Sequence, residues 1–264
     1  MPVYRFLPPV ARLPIVILAL ALVSACAAPD PAAVSPDGIY DPNEARNRKV
    51  HAFNRSLDKA VLRPAGRGYS KAVPDGIEDS IGNFATNLAQ PSVMVNSLLQ
   101  GDFRGAGLST VRFLTNTVLG FGGLVDAATE FKVPQHDTDF GETLYVWGVG
   151  EGPYVEMPII GPGTRRDAAG RVVDLFTNPL TYSLPSPEKY YSTGAKLASR
   201  LGDRGRYSDT VDSILYESAD SYAQTRLIYL QNRRFELGSS VGADGGDPYS
   251  DDPYSDIYED PYAQ

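Results

Sequence analysis

The chain of 264 residues contains one cysteine, two histidines, one tryptophan and three methionines. A single cysteine excludes a disulfide within the monomer, even in a compartment that permits one. Stability must come from packing and polar contacts. Two histidines, His51 and His136, give histidine-dependent chemistry little to work with. No Gly-x-Ser-x-Gly turn occurs, so a lipase of that type would lack its nucleophile elbow. His136-Asp137-Thr138-Asp139 groups nitrogen and oxygen donors, yet no His-Glu-x-x-His spacing is present and the segment reads as a turn, not a metal site. Gly120–Gly123 is not followed by Gly-Lys-Ser/Thr, so it does not match a phosphate loop. The residues therefore point to no catalytic set, no metal, no nucleotide-driven step and no cofactor.

Basic charge is also scarce. The net charge is −8, from 24 Lys+Arg against 32 Asp+Glu, which argues against a nucleic-acid partner. Seven acids lie beyond Leu237 with no Lys or Arg among them, so the acidity belongs mostly to the tail. Long apolar runs are missing after Cys26. The best stretch, 111–128, carries Arg112, Asn116 and Asp126 and falls short of the roughly 18 uninterrupted apolar residues that a span needs.

What is present begins at the N-terminus. Arg5 and Arg12 precede the apolar run PIVILALALVSA, and small residues lead directly to Cys26. A charged n-region, a short h-region and a small-residue cut site make a secretory signal. An ordinary signal peptide ending near a free thiol is one reading. A bacterial lipobox, in which Cys26 is acylated and becomes the first mature residue, is the favoured one, because every other position avoids cysteine. Each buried methylene contributes about 0.8 kcal/mol, so two or three acyl chains anchor firmly. Ala27, in place of an aspartate, resembles lipoproteins sent to the outer membrane.

The expected organisation is a signal peptide (1–25), a Pro/Ala/Asp-rich tether (26–43), a helical domain (44–237) and a disordered acidic tail (238–264) that repeats Asp-Pro-Tyr. Val50, Phe53, Leu57 and Val61 predict the inward face of a helix over 45–62, stopped by Pro64. Ile77, Ile81, Phe84 and Leu88 predict another, closed by Pro91, with a third over 92–99. Asp102 is a candidate start for a fourth, carrying Leu108, Val111, Leu114 and Val118. The segment 144–161 is apolar but broken by Gly148, Gly150, Gly152 and Pro153. It fits either a buried glycine-rich loop or a mobile segment able to dip into lipid. A helix over 166–176 should turn Val172, Val173 and Phe176 inward. Ser186-Pro187-Glu188 resembles a helix start, ahead of Lys189, Lys196 and Arg200. One long helix over 208–234 should stop at Gly238. Period-two alternation is scarce, so the fold class is mostly α.

Four blocks carry a family resemblance: NRKVHAFNRSLDKAVLRP (47–64), IGNFATNLAQPSVMVNSLLQGD (81–102), RFLTNTVLGFGGLVDAA (112–128) and FGETLYVWGVGEGPYVEMPIIGPGTRRDAAGRVVD (140–174). They resemble the MlaA/VacJ family of outer-membrane lipoproteins, in the family's order. The chain departs from the pattern at Arg46, where the family usually has Phe. The resemblance implies a ring-like domain of short amphipathic helices, lying in one leaflet around a central polar passage. It implies removal of phospholipids misplaced in the outer leaflet, association with a trimeric porin, and hand-over to the periplasmic carrier MlaC, which serves an inner-membrane ABC transporter complex. It places the family's flexible hairpin on 140–157, making Gly148, Gly150, Gly152 and Pro153 hinge candidates. Candidate contacts to lipid phosphate are Lys189, Lys196, Arg200, Arg165 and Arg166. No enzymatic activity is implied; a porin-associated brace or a phospholipase are the competing readings.

Overall fold

Helix dominates the computed structural model, which describes residues 39–241. The signal peptide, Cys26, the tether up to residue 38 and the Asp-Pro-Tyr repeats lie outside the described residues. The first helix, α1 (Glu44–Leu57), passes through a π-helical turn (Asp58–Leu62) into α2 (Arg63–Ala72). Pro64 therefore does not stop the helix. The wide turn bonds Arg63 N–H to Asp58 O, and the proline sits at the start of α2, where a missing N–H is tolerated. Next comes α3 (Asp75–Gln100), 26 residues long with Pro91 buried inside it. The two helices expected on either side of Pro91 are thus one, ended by Gly101 at φ 80.

Asp102 caps α4 (Phe103–Val118), its side chain accepting from Gly105 N–H. A 3₁₀ turn (Phe121–Gly123) and two short helices, α5 (Ala127–Glu130) and α6 (Phe140–Val146), follow. An antiparallel hairpin, β1 (Tyr154–Met157) and β2 (Gly161–Thr164), pairs Tyr154 with Thr164 and Met157 with Gly161. Alternation along its strands is too short to stand out in the sequence. Thr164 caps α7 (Arg165–Thr177). Then come α8 (Leu180–Ser183), a 3₁₀ turn (Glu188–Tyr190) and α9 (Tyr191–Arg206). The single helix expected over 208–234 is two. After α10 (Ser208–Asp212) and a π turn (Ser213–Glu217), Ser218 turns extended and Asp220 caps α11 (Ser221–Val241) through Ala223 N–H. Gly238 is carried inside α11, so the helix reaches into the stretch read as tail.

Helix α3 packs along α4 and α9, α9 along α2, and α6 against α7. A small apolar cluster of Ile39, Tyr154, Tyr222 and Leu230 ties the segment before α1, the hairpin and α11 together. Ile39 and Asp41 are buried, so the last residues of the expected tether belong to the folded body.

Candidate functional site

Helical periodicity predicts apolar residues turned inward, and the structure turns them outward. In α4, at about 100° per residue, Phe103, Val111, Leu114 and Val118 fall in one arc of about 80°. These are the exposed residues, Phe103 at 77% and Val118 at 74%. The opposite arc holds Gly105, Ser109, Arg112 and Asn116, all buried. The same inversion holds in α1, where Asn47 and His51 are buried while Phe53 is exposed. It holds in α7, where Val172 and Phe176, expected inside, are exposed. Among the described residues, 21 polar or charged side chains are buried against 10 hydrophobic ones. A water-soluble domain of this composition would bury mostly the reverse. Contiguous exposed apolar faces of this extent mark contact with membrane or protein.

The buried polar groups form hydrogen-bonded clusters, as burial requires. Arg112 donates to both oxygens of Asp126 at 2.8 and 2.7 Å and to Val133 O at 2.6 Å. Burial alone would raise the Asp126 pKa, but donors from Thr129, Asn116 and Arg112 hold it below the usual carboxylate value. Arg204 bridges Asp58 and Asp212 at 2.7 Å each, with Arg63 also on Asp212 at 2.6 Å. These residues join the first π turn, the start of α2 and the end of α10 to α9. Asp41 accepts from Asn47 at 2.9 Å, from Arg226 at 2.8 Å and from Tyr222. His51 stands 3.1 Å from Ser221 Oγ and 3.4 Å from Glu156, linking α1, α11 and β1. The metal-like segment is occupied by structural roles: Asp139 caps α6 and pairs with Arg233, and His136 sits 3.4 Å from Asp102.

The glycine-rich segment runs from Trp147 to Pro153 between α6 and β1, with no regular structure. Gly148 at φ 84 and Gly152 at φ 70 adopt the left-handed conformation that other residues enter at a cost. Gly150 has neither a left-handed φ nor a close neighbour, so its conformation alone does not require glycine. Pro153 O accepts from Arg165 N–H at 2.9 Å, fixing one end of the segment to α7. The β1–β2 turn presents two exposed isoleucines, Ile159 at a positive φ of 69 and Ile160.

The candidate cations do not form one group. Lys189 lies over the ring of Tyr190, 5.0 Å away, ahead of α9. Lys196 lies one turn from Arg200 on α9, and the charges of Arg171 and Asp174 also reach it. Desolvation lowers the Lys196 pKa, repulsion from Arg200 and Arg171 adds to this, and Asp174 opposes it. Arg171 is not a sequence candidate, since it lies on a different helix and only the fold brings its charge within reach of Lys196. Arg165 is exposed at the start of α7, whereas its neighbour Arg166 is buried. Arg166 stacks 5.1 Å from the Tyr145 ring and approaches Val149 O at 3.4 Å, inside a cleft that also includes Gly148 and Gly150.

No helix among the described residues is long and apolar enough to cross a membrane. Comparison with known proteins gives a consistent result. The family profile described as MlaA lipoprotein matches residues 39–236. The intermembrane phospholipid transport system lipoprotein MlaA of Escherichia coli is 35% identical over 228 residues, 85% of this chain and 88% of that one. Its Haemophilus influenzae counterpart is 30% identical, covering 82% and 87%. A solved chain reported under "Structural basis for maintenance of bacterial outer membrane lipid asymmetry" superposes with a TM-score of 0.64 at 35% identity, covering 75% of this chain and 98% of that one. With this extent of match in sequence and structure, the chain belongs to the MlaA lipoprotein family.

Proposed function

We propose that the protein withdraws phospholipids misplaced in the outer leaflet of the outer membrane and passes them toward the periplasm, maintaining lipid asymmetry. The observation that carries this reading is the inversion described above: an apolar perimeter around a charged, hydrogen-bonding interior. A phospholipid head group is expensive to move through hydrocarbon, because desolvated charge must find substitute partners. A body with polar groups inside and apolar groups outside can supply those partners while acyl tails stay in the surrounding lipid. The names of the family members in Escherichia coli and Haemophilus influenzae support the same assignment.

In this reading acylated Cys26 anchors the chain at the outer membrane, on its periplasmic side, and requires no other cofactor. The helices lie in the inner leaflet as a ring around a central polar passage. Ile159 and Ile160 add an apolar tip that fits lipid contact. The segment bounded by Gly148 and Gly152 is the hinge, with Gly150 and Pro153 within it. Lys196 and Arg200, joined by Arg171, meet the lipid phosphate, while Lys189 and Arg165 are more peripheral contacts. A trimeric porin holds the assembly, and the carrier MlaC receives the lipid for an inner-membrane ABC transporter complex. The protein is a conduit and not an enzyme.

Reconstitution tests this. Lipidated full-length protein in liposomes carrying a fluorescent phospholipid should accelerate transfer to added carrier and should release no free fatty acid. Transfer at the rate of empty liposomes would favour a structural brace, and fatty-acid release would favour a phospholipase.

A further inference from the structure

Arg166 is 4% exposed, yet its Nε and Nη2 have no hydrogen-bond acceptor. The nearest carboxylate oxygen, on Asp167, stands 3.8 Å from Nε. That carboxylate is already engaged by Thr164 at 2.7 Å, Tyr229 at 2.5 Å and Arg233 at 3.2 Å. A buried guanidinium with unmet donors is costly, and such groups in native proteins call for a specific explanation. Arg166 lines a cleft of about 360 Å³ between the glycine-rich segment and α11. Tyr145, Gly148, Gly150 and Glu151 lie on the segment side, and Arg234 on the helix side. Across the cleft Arg234 grips Glu151 with two hydrogen bonds of 2.9 Å each. A carboxylate of the protein thus occupies the second guanidinium, while Nε and Nη2 of the first have no acceptor.

We propose that this cleft is a latched site for a phosphate-bearing anion, with Arg166 as its inner donor and Glu151 as a placeholder on Arg234. When the Glu151–Arg234 pair opens, the segment lifts about Gly148 and Gly152 and uncovers the unpaired donors of Arg166. A phosphate then receives a planar two-donor contact from Arg166 and a second from Arg234, the arrangement guanidinium groups make best. No bond is made or broken. The phosphate is either that of a lipid head group, in which case the site rests on the transport reading, or that of a soluble phosphate ester. Anion binding is measured without transport, so the two can fail separately.

Trp147, the one tryptophan of the chain, borders the segment and donates to Leu99 O at 3.0 Å, so its fluorescence reports the loop. Lipidated full-length protein in detergent micelles is titrated with glycerol 3-phosphate. A saturable change in Trp147 emission is expected. Glu151→Gln, which removes an exposed ion pair, should tighten binding roughly two- to fivefold. Arg166→Gln should weaken it at least about tenfold. Competition by phosphatidylglycerol micelles assigns the anion to lipid, and its absence assigns it to a soluble phosphate; saturable binding with either result supports the site. Unchanged affinity in Glu151→Gln overturns the latch. A folded Arg166→Gln protein that binds as well as the parent overturns the site. If that variant fails to fold, absence of saturable binding in both the parent and Glu151→Gln overturns it equally.

Discussion

The stripe on α4 gives the sharpest quantitative consequence of the inverted packing. Phe103, Leu114 and Val118 are 77%, 55% and 74% exposed, so little of their surface contributes to the folded core. Changing all three to Gln should alter folding stability by less than about 0.5 kcal/mol per site, as exposed positions do. The effect on membrane binding is of another order. A fully buried side chain of this kind contributes about 1.5–3 kcal/mol. Scaled by the exposed fractions, the three together contribute about 4 kcal/mol, close to a thousandfold in partitioning. The assay is vesicle flotation with a Cys26→Ala background, which removes the proposed acylation site and leaves the body's own affinity. Circular dichroism and a melting curve check the fold. The parent body should float with vesicles and the triple variant should remain at the bottom, with matched melting. Equal flotation of the two would refute the outward-facing stripe. A triple variant that unfolds would show these residues to be core after all.

Three further outcomes follow from the interior. Arg112→Met leaves Asp126 without its cation and should cost about 3 kcal/mol, read as a melting point lower by roughly 6–12 °C; an unchanged melting point would remove the cluster from the account. Asp126, Asp167 and Asp212 have pKa values below the ordinary carboxylate value and Asp220 titrates at about 2, so their stabilisation is fully present above about pH 4 and is lost as pH falls through the lowered values. Stability should be flat from about pH 7 to 5 and drop below about 4, and Asp220→Asn should remove part of that drop; a steady decline starting near pH 7 would contradict the assignment. Gly148→Val places a β-branched side chain at φ 84 and should cost about 1–2 kcal/mol, whereas Gly150→Val should change stability by less than about 0.5 kcal/mol, both read by chemical denaturation.

Local punctuation and family motifs were legible in the sequence. Asp102 starts a helix where its side chain can cap one. The start expected at Ser186-Pro187-Glu188 is only partly there: a 3₁₀ turn without a side-chain cap comes first and holds Lys189, and the α-helix that carries Lys196 and Arg200 begins at Tyr191. The helical period was readable too, but its phase was not. A stripe such as Val111, Leu114 and Val118 says which residues share a face, and only the surrounding solvent says whether that face points in or out. Assigning it to the core assumed water outside. Pro64 and Pro91 look like stops in the sequence because isolated prolines disfavour helix interiors; a π turn accommodates the first, and the second is buried within α3. The β-hairpin escapes the sequence pattern because each strand is only four residues long and the second is mostly Gly and Pro, too little for an alternation to show. Arg166 beside Arg165 looked like one of two surface charges, since nothing local distinguishes the buried one from the exposed one.

The amount of phospholipid in the outer leaflet of cells lacking this chain bears most directly on the whole account. Surface-specific enzymatic labelling should show that leaflet gaining phospholipid on deletion, with restoration by the intact chain and not by the Cys26→Ala form. A deletion strain whose outer leaflet matches the parent's, under conditions where the protein is normally produced, would contradict it.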